Sequence, residues 1–295
     1  MLCFLVSNAQ LVSEPIIGDS TSGFFGRDVK LNGDGSIAVV SSPANWISSN
    51  TNNPIDPNLN TTGTVKVYQW NGTSWQQLGN TISGSDGSLF GLSVAINDAG
   101  TRIFVGIPQE KSTTIVYGQQ YEFPSGAVKV YDLVGNTWQQ IGSTIYGNID
   151  SQSYGRALAT NSSGDHFIIG NRNREVCDNF NNCNRKGEGK IFYWNGNDWE
   201  QKGNTIVGTI NNEYLGESVA MSDDANTVAL GGVGWIGSVK TYLWNGTSWQ
   251  QKGNTLTGNS TVSQFGIDVN LSANGNILAV GAERSNLGNN RNGEV

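Results

Sequence analysis

The sequence predicts an all-β protein built from a repeated four-stranded sheet, and three observations lead to that prediction. Glycine and asparagine contribute 39 and 36 of the 295 residues, and both favour turns between short strands over long helices. Apolar residues alternate with polar ones in several short runs, as at Val29 and Leu31, which is the period of a strand. One pattern of residues also recurs at wide, regular intervals, which is typical of a repeat protein.

Charge and residue content restrict the chemistry that is open to the chain. Charged residues make up 14% of it and the formal net charge is −7, so it lacks the basic footprint of a protein that binds nucleic acid or an anionic membrane. A single histidine, His166, and three cysteines do not suffice for a zinc site of the usual kind. A Ser-His-Asp triad would have to use that one histidine. The composition therefore disfavours most hydrolytic enzymes.

The clearest repeat is an Asn-Gly turn followed by tryptophan. Its four copies are WNGTSWQQLGNTI (Trp70–Ile82), LVGNTWQQIGSTI (Leu133–Ile145), WNGNDWEQKGNTI (Trp194–Ile206) and WNGTSWQQKGNTL (Trp244–Leu256). An aromatic-glycine pair, with leucine for the aromatic residue in one case, opens each unit of the repeat. These pairs are Phe25-Gly26, Phe90-Gly91, Tyr154-Gly155, Leu215-Gly216 and Phe265-Gly266. The intervals between them are 65, 64, 61 and 50 residues.

Each unit reads as four strands. The first follows the opening pair, and the second (SIAVV or RIFVG, for example) is apolar at both parities, so both of its faces should be covered. The third is the segment typified by GTVKVY (Gly63–Tyr68), and an Asn-Gly turn leads into the fourth. Four strands per unit at this period predict a β-propeller, because neighbouring sheets bury the faces that one sheet alone leaves exposed. We expect about five blades in a single domain over residues 10–295, starting near residues 24, 89, 153, 214 and 264.

Both ends of the chain carry predictions. Residues 1–9 (MLCFLVSNA) are typical of the back half of a secretory signal peptide, with a buried first strand as the alternative. Residues 10–18 should contain a closing strand, around Leu11–Ile17, that completes the last blade. The sequence stops at Val295, just inside the third strand of the fifth unit, so we expect the propeller to be truncated there and further blades to follow.

Two cysteines remain once the leader is removed. Cys177 and Cys183 lie close together in a loop rich in asparagine and arginine. In an oxidising compartment this spacing favours a disulfide, which would restrain the long loop. Two free thiols are the alternative.

The repeats resemble those of the FG-GAP family, whose blades also build the propellers of integrin α-subunits. Phe25-Gly26, Phe90-Gly91 and Phe265-Gly266 carry the FG, and Gly106-Ile107-Pro108 is one copy of the GAP position. The resemblance covers residues 10–295, extends to repeats of secreted bacterial and marine-plankton proteins, and implies extracellular binding of no particular ligand. Calcium-binding blades of the integrin type carry a D-x-D-x-D-G-like loop. The corresponding turns here, such as NGDG and NDAG, offer no such spacing, so we expect no metal and no cofactor, with weak calcium binding at Asp34, or at Asp223 with Asp224, as the alternative.

Candidate ligand-binding residues lie outside the repeated positions. Tryptophan pairs that recur around each Asn-Gly turn are interpreted as packing between blades, with sugar stacking as the alternative. Trp46 and Trp235 lie instead in the connections between second and third strands, where loops often carry function. Arg172 and Arg174 make the third of these connections basic, which suits an acidic glycan, although a solvated loop is the alternative.

These observations favour a secreted or cell-surface, monomeric, non-enzymatic protein that binds a glycan or an extracellular protein through its loops. The first strands stay regular in four of five units, whereas we expect an enzyme to break that regularity, and we predict no catalytic residue. A structural spacer in a larger adhesin is one alternative. A glycoside hydrolase or lyase that uses carboxylates such as Asp28 and Asp268 is another. No segment is long and apolar enough to span a membrane.

Overall fold

The computed structural model describes residues 13–18, 24–44, 62–148, 153–177, 182–259 and 264–283. Within these residues the protein contains 24 β-strands and no helix, which confirms the all-β class. The predicted signal segment, residues 1–9, and Trp46 lie outside the described residues.

Each unit of the sequence folds into its own antiparallel sheet. The first contains β1 (Val29–Leu31), β2 (Ile37–Ser42), β3 (Thr62–Trp70), β4 (Trp75–Gln77) and β5 (Ile82–Asp86). The second contains β6 (Ser93–Ile96) and β7 (Arg102–Ile107), then a separate hairpin of β8 (Lys111–Val116) and β9 (Gln119–Pro124), then β10 (Ala127–Val134) and β11 (Thr137–Tyr146). In the first sheet β1, β2, β3 and β4 are neighbours in that order, and in the second β6, β7, β10 and β11 are, with the hairpin outside the sheet.

The remaining units repeat this arrangement. The third sheet has β12 (Ala157–Thr160) and β13 (His166–Asn171), a hairpin of β14 (Glu175–Cys177) and β15 (Cys183–Arg185), then β16 (Glu188–Trp194), β17 (Trp199–Gln201) and β18 (Ile206–Val207). The fourth has β19 (Leu215–Met221), β20 (Thr227–Gly232), β21 (Ser238–Trp244) and β22 (Trp249–Thr257). Of the fifth, β23 (Phe265–Leu271) and β24 (Leu278–Ala282) are described.

The second strand of each complete unit forms the core. Every residue of β2 and β20 is buried, and β7 and β13 are buried apart from their first residue. These strands pair with a strand on each side and are covered on both faces. Phe104 of β7 and Phe167 of β13 bring their ring centroids within 4.8 Å of each other, although they belong to neighbouring units. The prediction that both faces of the second strand are covered is therefore confirmed.

The opening pairs of the third, fourth and fifth units anchor each of them to the unit before. The backbone of Tyr154 forms a parallel bridge with Gly126, which precedes the third strand of the second unit. A β-carbon on Gly126 would lie 2.4 Å from the carbonyl oxygen of Tyr154, so the approach requires glycine. Gly155 itself has a φ of 85°, a conformation that side chains other than glycine rarely adopt. Equivalent bridges join Gly187 to Leu215 and Gly237 to Phe265.

Two of the connections between second and third strands contain hairpins, β8–β9 and β14–β15. In β8–β9 the turn residues Tyr117 and Gly118 have φ values of 50° and 78°, the paired left-handed conformation of a type I′ turn. Tyrosine is an unusual residue for the first of these positions, which is why the turn is hard to recognise from the sequence.

The predicted closing strand is described in part. Residues 13–18 form no strand, and Ser13–Ile16 line a cavity together with Val29, Leu31 and Trp75 of the first sheet. The predicted strand around Leu11–Ile17 is expected to complete the last blade, and its first two residues lie outside the described residues.

Candidate functional site

The five units place their first strands around a common cavity of about 280 Å³, here called the central cavity. In every antiparallel unit the first strand begins, and the second strand ends, at the same end of the sheet, here called the entry end. The connection between second and third strands therefore emerges there as well. The charged residues that line the central cavity are Arg27, Asp28, Lys30, Arg156, Glu217 and Asp268.

The repeat loses its regularity at this cavity. The residue that follows the opening pair differs from unit to unit and is, in order, Arg27, Leu92, Arg156, Glu217 and Ile267. The next residue is Asp28, Ser93, Ala157, Ser218 or Asp268. Inspection of single first strands finds only Arg156 unusual. Comparison of the five units position by position would also have drawn attention to Arg27 and Glu217.

Glu217 connects the two neighbouring arginines of the third unit. Its Oε2 accepts a hydrogen bond of 2.6 Å from Nη1 of Arg172, and its Oε1 lies 3.6 Å from Nη2 of Arg156. The Glu217 side chain is only 10% exposed. The guanidinium of Arg172 also lies 5.1 Å from the ring centroid of Tyr214. Arg172, one of the predicted ligand-binding residues, is thus held beside the central cavity.

A second cavity, of about 220 Å³, adjoins the first at the entry end and is here called the side cavity. It shares Arg27, Leu92 and Arg156 with the central cavity, and its other lining residues are Phe24, Pro43, Ala44 and Leu89. Its wall is therefore apolar apart from two guanidinium groups, and no carboxylate is among the residues that line it.

Arg174 has a different environment from Arg172. Its Nη1 lies 3.8 Å from Oε2 of Glu188, a buried side chain whose Oε1 lies 3.7 Å from Nζ of Lys190. Asn171 also donates to Glu188. The structure thus directs Arg174 to an internal ionic cluster at the base of the β13–β16 connection and away from both cavities.

Trp235 lies at the entry end and is 72% exposed. It occupies the short connection between β20 and β21 with a φ of 51°. The N–H of Gly234 donates to the carbonyl oxygen of Glu213 at 3.1 Å, which holds this connection against the segment before β19. The indole is therefore accessible on a braced loop, and its role in ligand binding stays a prediction. Tyr117 and Tyr121 of the β8–β9 hairpin are also exposed.

A disulfide joins Cys177 and Cys183. The two residues face each other across β14 and β15, and their Cα atoms are 4.0 Å apart. The hairpin is attached to the next unit, because the carbonyl oxygen of Arg185 accepts a hydrogen bond of 3.2 Å from the N–H of Tyr214. The bridged hairpin therefore supports the aromatic ring over which Arg172 lies.

The repeated tryptophans pack between units. Nε1 of Trp138 donates to the carbonyl oxygen of Leu78 at 2.9 Å, and Nε1 of Trp249 donates to that of Lys202 at 2.8 Å. Both indoles are buried, and each reaches the preceding unit. These contacts favour the packing interpretation over sugar stacking.

His166 and the acidic turns lie at the end of the sheets opposite the cavities. Nδ1 of His166 is 2.8 Å from Oδ1 of Asp165, and its Nε2 is 3.3 Å from Nζ of Lys202. Burial raises the pKa of Asp165, but hydrogen bonds from Ser163, His166 and Asn161 outweigh it and lower that pKa to about 2. This group belongs to the β12–β13 turn and contacts neither cavity.

The carboxylates of Asp34 and Asp224 accept hydrogen bonds within their own hairpin turns. Oδ1 of Asp34 accepts from the backbone N–H and the hydroxyl of Ser36, and these bonds lower the Asp34 pKa. Across the described parts of the chain, no group of three or more histidine, cysteine, aspartate or glutamate side chains is arranged to hold a metal ion. Nor do those parts contain a helix that is long and apolar enough to cross a membrane.

Comparison with known proteins supports the fold and leaves the activity open. The chain matches no protein-family model and no curated protein. Its structure is similar to that of a "putative 6-phosphogluconolactonase" from Bacteroides fragilis, with a TM-score of 0.51 and 8% sequence identity. The match covers 90% of this chain and 60% of that one, so the chain spans less than two thirds of its neighbour's length. At this identity the likeness concerns the fold alone.

Proposed function

We propose that the chain is a β-propeller repeat protein of FG-GAP type, secreted or at the cell surface, that binds a glycan or an extracellular protein without catalysing a reaction. The observation that carries the proposal is the contrast between a regular scaffold and irregular residues at its entry end. The five repeated units line the central cavity with their first strands. At the same repeat position, however, three of them carry different charged residues, namely Arg27, Arg156 and Glu217. Exposed loop aromatics such as Trp235 and Tyr117 lie at the same end.

The outer face of the first sheet supports a propeller with more units than are described. Val29 and Leu31 are 47% and 55% exposed, whereas the equivalent Val94 and Ile96 of the second unit are 0% and 8% exposed. In the second unit these side chains are covered by the sheet before it. If the first unit packs as the second does, a further sheet covers Val29 and Leu31, which is the expected arrangement in a closed ring.

Binding is favoured over catalysis because two carboxylates of the central cavity are already committed. Glu217 is paired with Arg172 and Arg156. Asp28 lies 3.2 Å from Nζ of Lys30, and its Oδ2 accepts from the N–H of Val94 at 2.8 Å. The oxygens of both carboxylates are thus occupied by donors and cations of the protein itself. A glycoside hydrolase or lyase is nevertheless the second candidate, since Asp268 lines the same cavity and the irregular charged residues at the starts of the first strands are what we expect of an enzyme.

Incubation of the full-length protein with immobilised glycans and extracellular-matrix proteins tests the proposal. We expect retention of at least one ligand class, weaker retention by Trp235→Ala, and no change in the length of the glycans. Shortened or unsaturated glycan products that disappear in Asp268→Asn would replace the binding proposal with the enzymatic one. Absence of retention on every surface would favour a structural spacer.

A further inference from the structure

We infer that the side cavity is a subsite for the oxyanion of an acidic saccharide, with Arg27 and Arg156 as the groups that contact the anion. The inference rests on the proposed glycan-binding function and narrows it to one class of glycan and one pair of residues.

The side cavity is lined by positive charge, although the formal net charge of the protein is −7. Two arginines and five apolar residues line it, and none of these residues carries a carboxylate. Arg27 forms no ion pair within the described part of the chain, and Arg156 meets its one carboxylate, that of Glu217, at 3.6 Å. Guanidinium groups are planar forks that match carboxylate and sulfate oxygens. The cavity therefore offers two cations, and the only ion pair that either of them forms among the described residues is the one between Arg156 and Glu217, a carboxylate that Arg172 shares.

The side cavity also has an apolar wall. Phe24, Leu89 and Leu92 line it together with the two arginines. A pyranose ring has an apolar face of C–H groups and carries its carboxylate or sulfate at the edge of the ring, so its apolar face and its anion can meet the wall and the arginines together. A free inorganic anion would use the arginines alone. The combination thus favours an anion attached to a compact, partly apolar ring.

Arg156 is held in position by its neighbours. Glu217 holds Arg156 through one carboxylate oxygen and accepts from Arg172 through the other. Tyr214, whose backbone is bound to the disulfide hairpin, lies against the guanidinium of Arg172. Glu217 and Arg172 are therefore positioning residues that keep Arg156 turned toward the cavity, and Arg27 and Arg156 make the contact.

Titration calorimetry with four probes tests the inference. The probes are oligogalacturonate, which is carboxylated, dextran sulfate, neutral dextran and poly-glutamate. We expect one or both acidic saccharides to bind, and Arg27→Gln and Arg156→Gln each to weaken that binding by about tenfold or more, as for hydrogen bonds to charged groups. Lys252→Gln, which makes the same charge change on the exposed part of β22, should leave the affinity unchanged.

The positioning role of Glu217 has its own readout. Glu217→Gln should weaken binding of the acidic saccharide in the otherwise unchanged protein but have no further effect on that binding in Arg156→Gln, and Glu217→Asp should restore part of the affinity. Circular dichroism on each variant checks that the fold is retained.

The remaining outcomes separate the inference from the proposed function. Binding of dextran as tightly as the acidic saccharides, with no effect of Arg27→Gln, would overturn the inference and leave glycan binding intact. Arginine-dependent binding of poly-glutamate alone would overturn the assignment to a saccharide. Absence of binding to all four probes would overturn the inference, and retention on other glycans or proteins would then decide the proposed function separately.

Discussion

Arg172 donates a hydrogen bond of 2.6 Å to Glu217 across the boundary between the third and fourth units. Arg172 follows β13, and Glu217 lies within β19, 45 residues further along the chain. The same carboxylate faces Arg156, which precedes β12. One acidic side chain thus ties a connection and a first strand of one unit to the first strand of the next, at positions where the other units carry different residues.

This pair should show energetic coupling. In a double-mutant cycle of Arg172→Ala and Glu217→Gln, we expect a coupling free energy of about 1 kcal/mol, because the pair is well aligned and partly buried. Urea unfolding at low salt measures it, since urea leaves the charges unscreened. Strictly additive effects would mean that the pair adds nothing to stability.

The buried pair of Glu213 and Lys240 should matter more to stability. Their charged atoms are 2.7 Å apart and both side chains are 2% exposed. We expect Lys240→Met to lower the free energy of unfolding by about 3 to 5 kcal/mol, because it leaves a buried carboxylate without its cation. Lys129→Met is the matched control, since Lys129 occupies the equivalent third-strand position, lies 3.8 Å from Glu110 and is more exposed. Equal losses in urea unfolding would contradict the expectation.

Two tryptophans should separate stability from binding. Trp249→Ala removes a buried indole and its hydrogen bond to the preceding unit, and we expect it to cost about 3 to 5 kcal/mol in the free energy of unfolding. Trp235→Ala removes an exposed indole and should change stability by less than about 0.5 kcal/mol, while weakening ligand binding. Denaturant unfolding followed by circular dichroism measures the stabilities. A large stability loss in Trp235→Ala would remove it as a binding probe.

Asp165 should contribute to the acid stability of the fold. Its pKa in the folded protein is about 2, below the value of about 3.9 expected in the unfolded chain. Since the folded pKa is the lower one, the stabilisation is complete above about pH 4 and is lost as the pH falls toward about 2. Asp165→Asn should therefore be less stable than the unchanged protein at pH 5, and the difference should shrink through this window. Unfolding midpoints measured from pH 5 to pH 2 test the direction, and a constant difference would refute it.

Much of the scaffold could be predicted because the same strand and turn pattern recurs in successive units of the sequence. The alternation at Val94 and Ile96, the apolar second strands and the Asn-Gly turn before Trp249 follow from local backbone period and turn chemistry. The recurring glycines are visible as a pattern in the sequence. The physical reason for glycine is a close approach between units, such as that of Gly126 to Tyr154, and only the packed structure shows that approach.

The candidate site was predicted only in part. Arg172 and Trp235 stood out because they interrupt the repeat in a connection, and the structure places both at the entry end. Arg174 stood out for the same reason, yet it faces the buried Glu188. Adjacent arginines in a loop look alike in sequence, and only the direction of each side chain separates them.

Strand period, turn chemistry and the repeat are local properties, so they determined the all-β class and the four-strand unit without reference to any other part of the chain. The central and side cavities are different in kind. They form only when separate units pack side by side, because Arg27, Arg156 and Glu217 lie in different units. Their charges, distances and burial are set by contacts between units that no local pattern encodes, so only the tertiary structure could decide them.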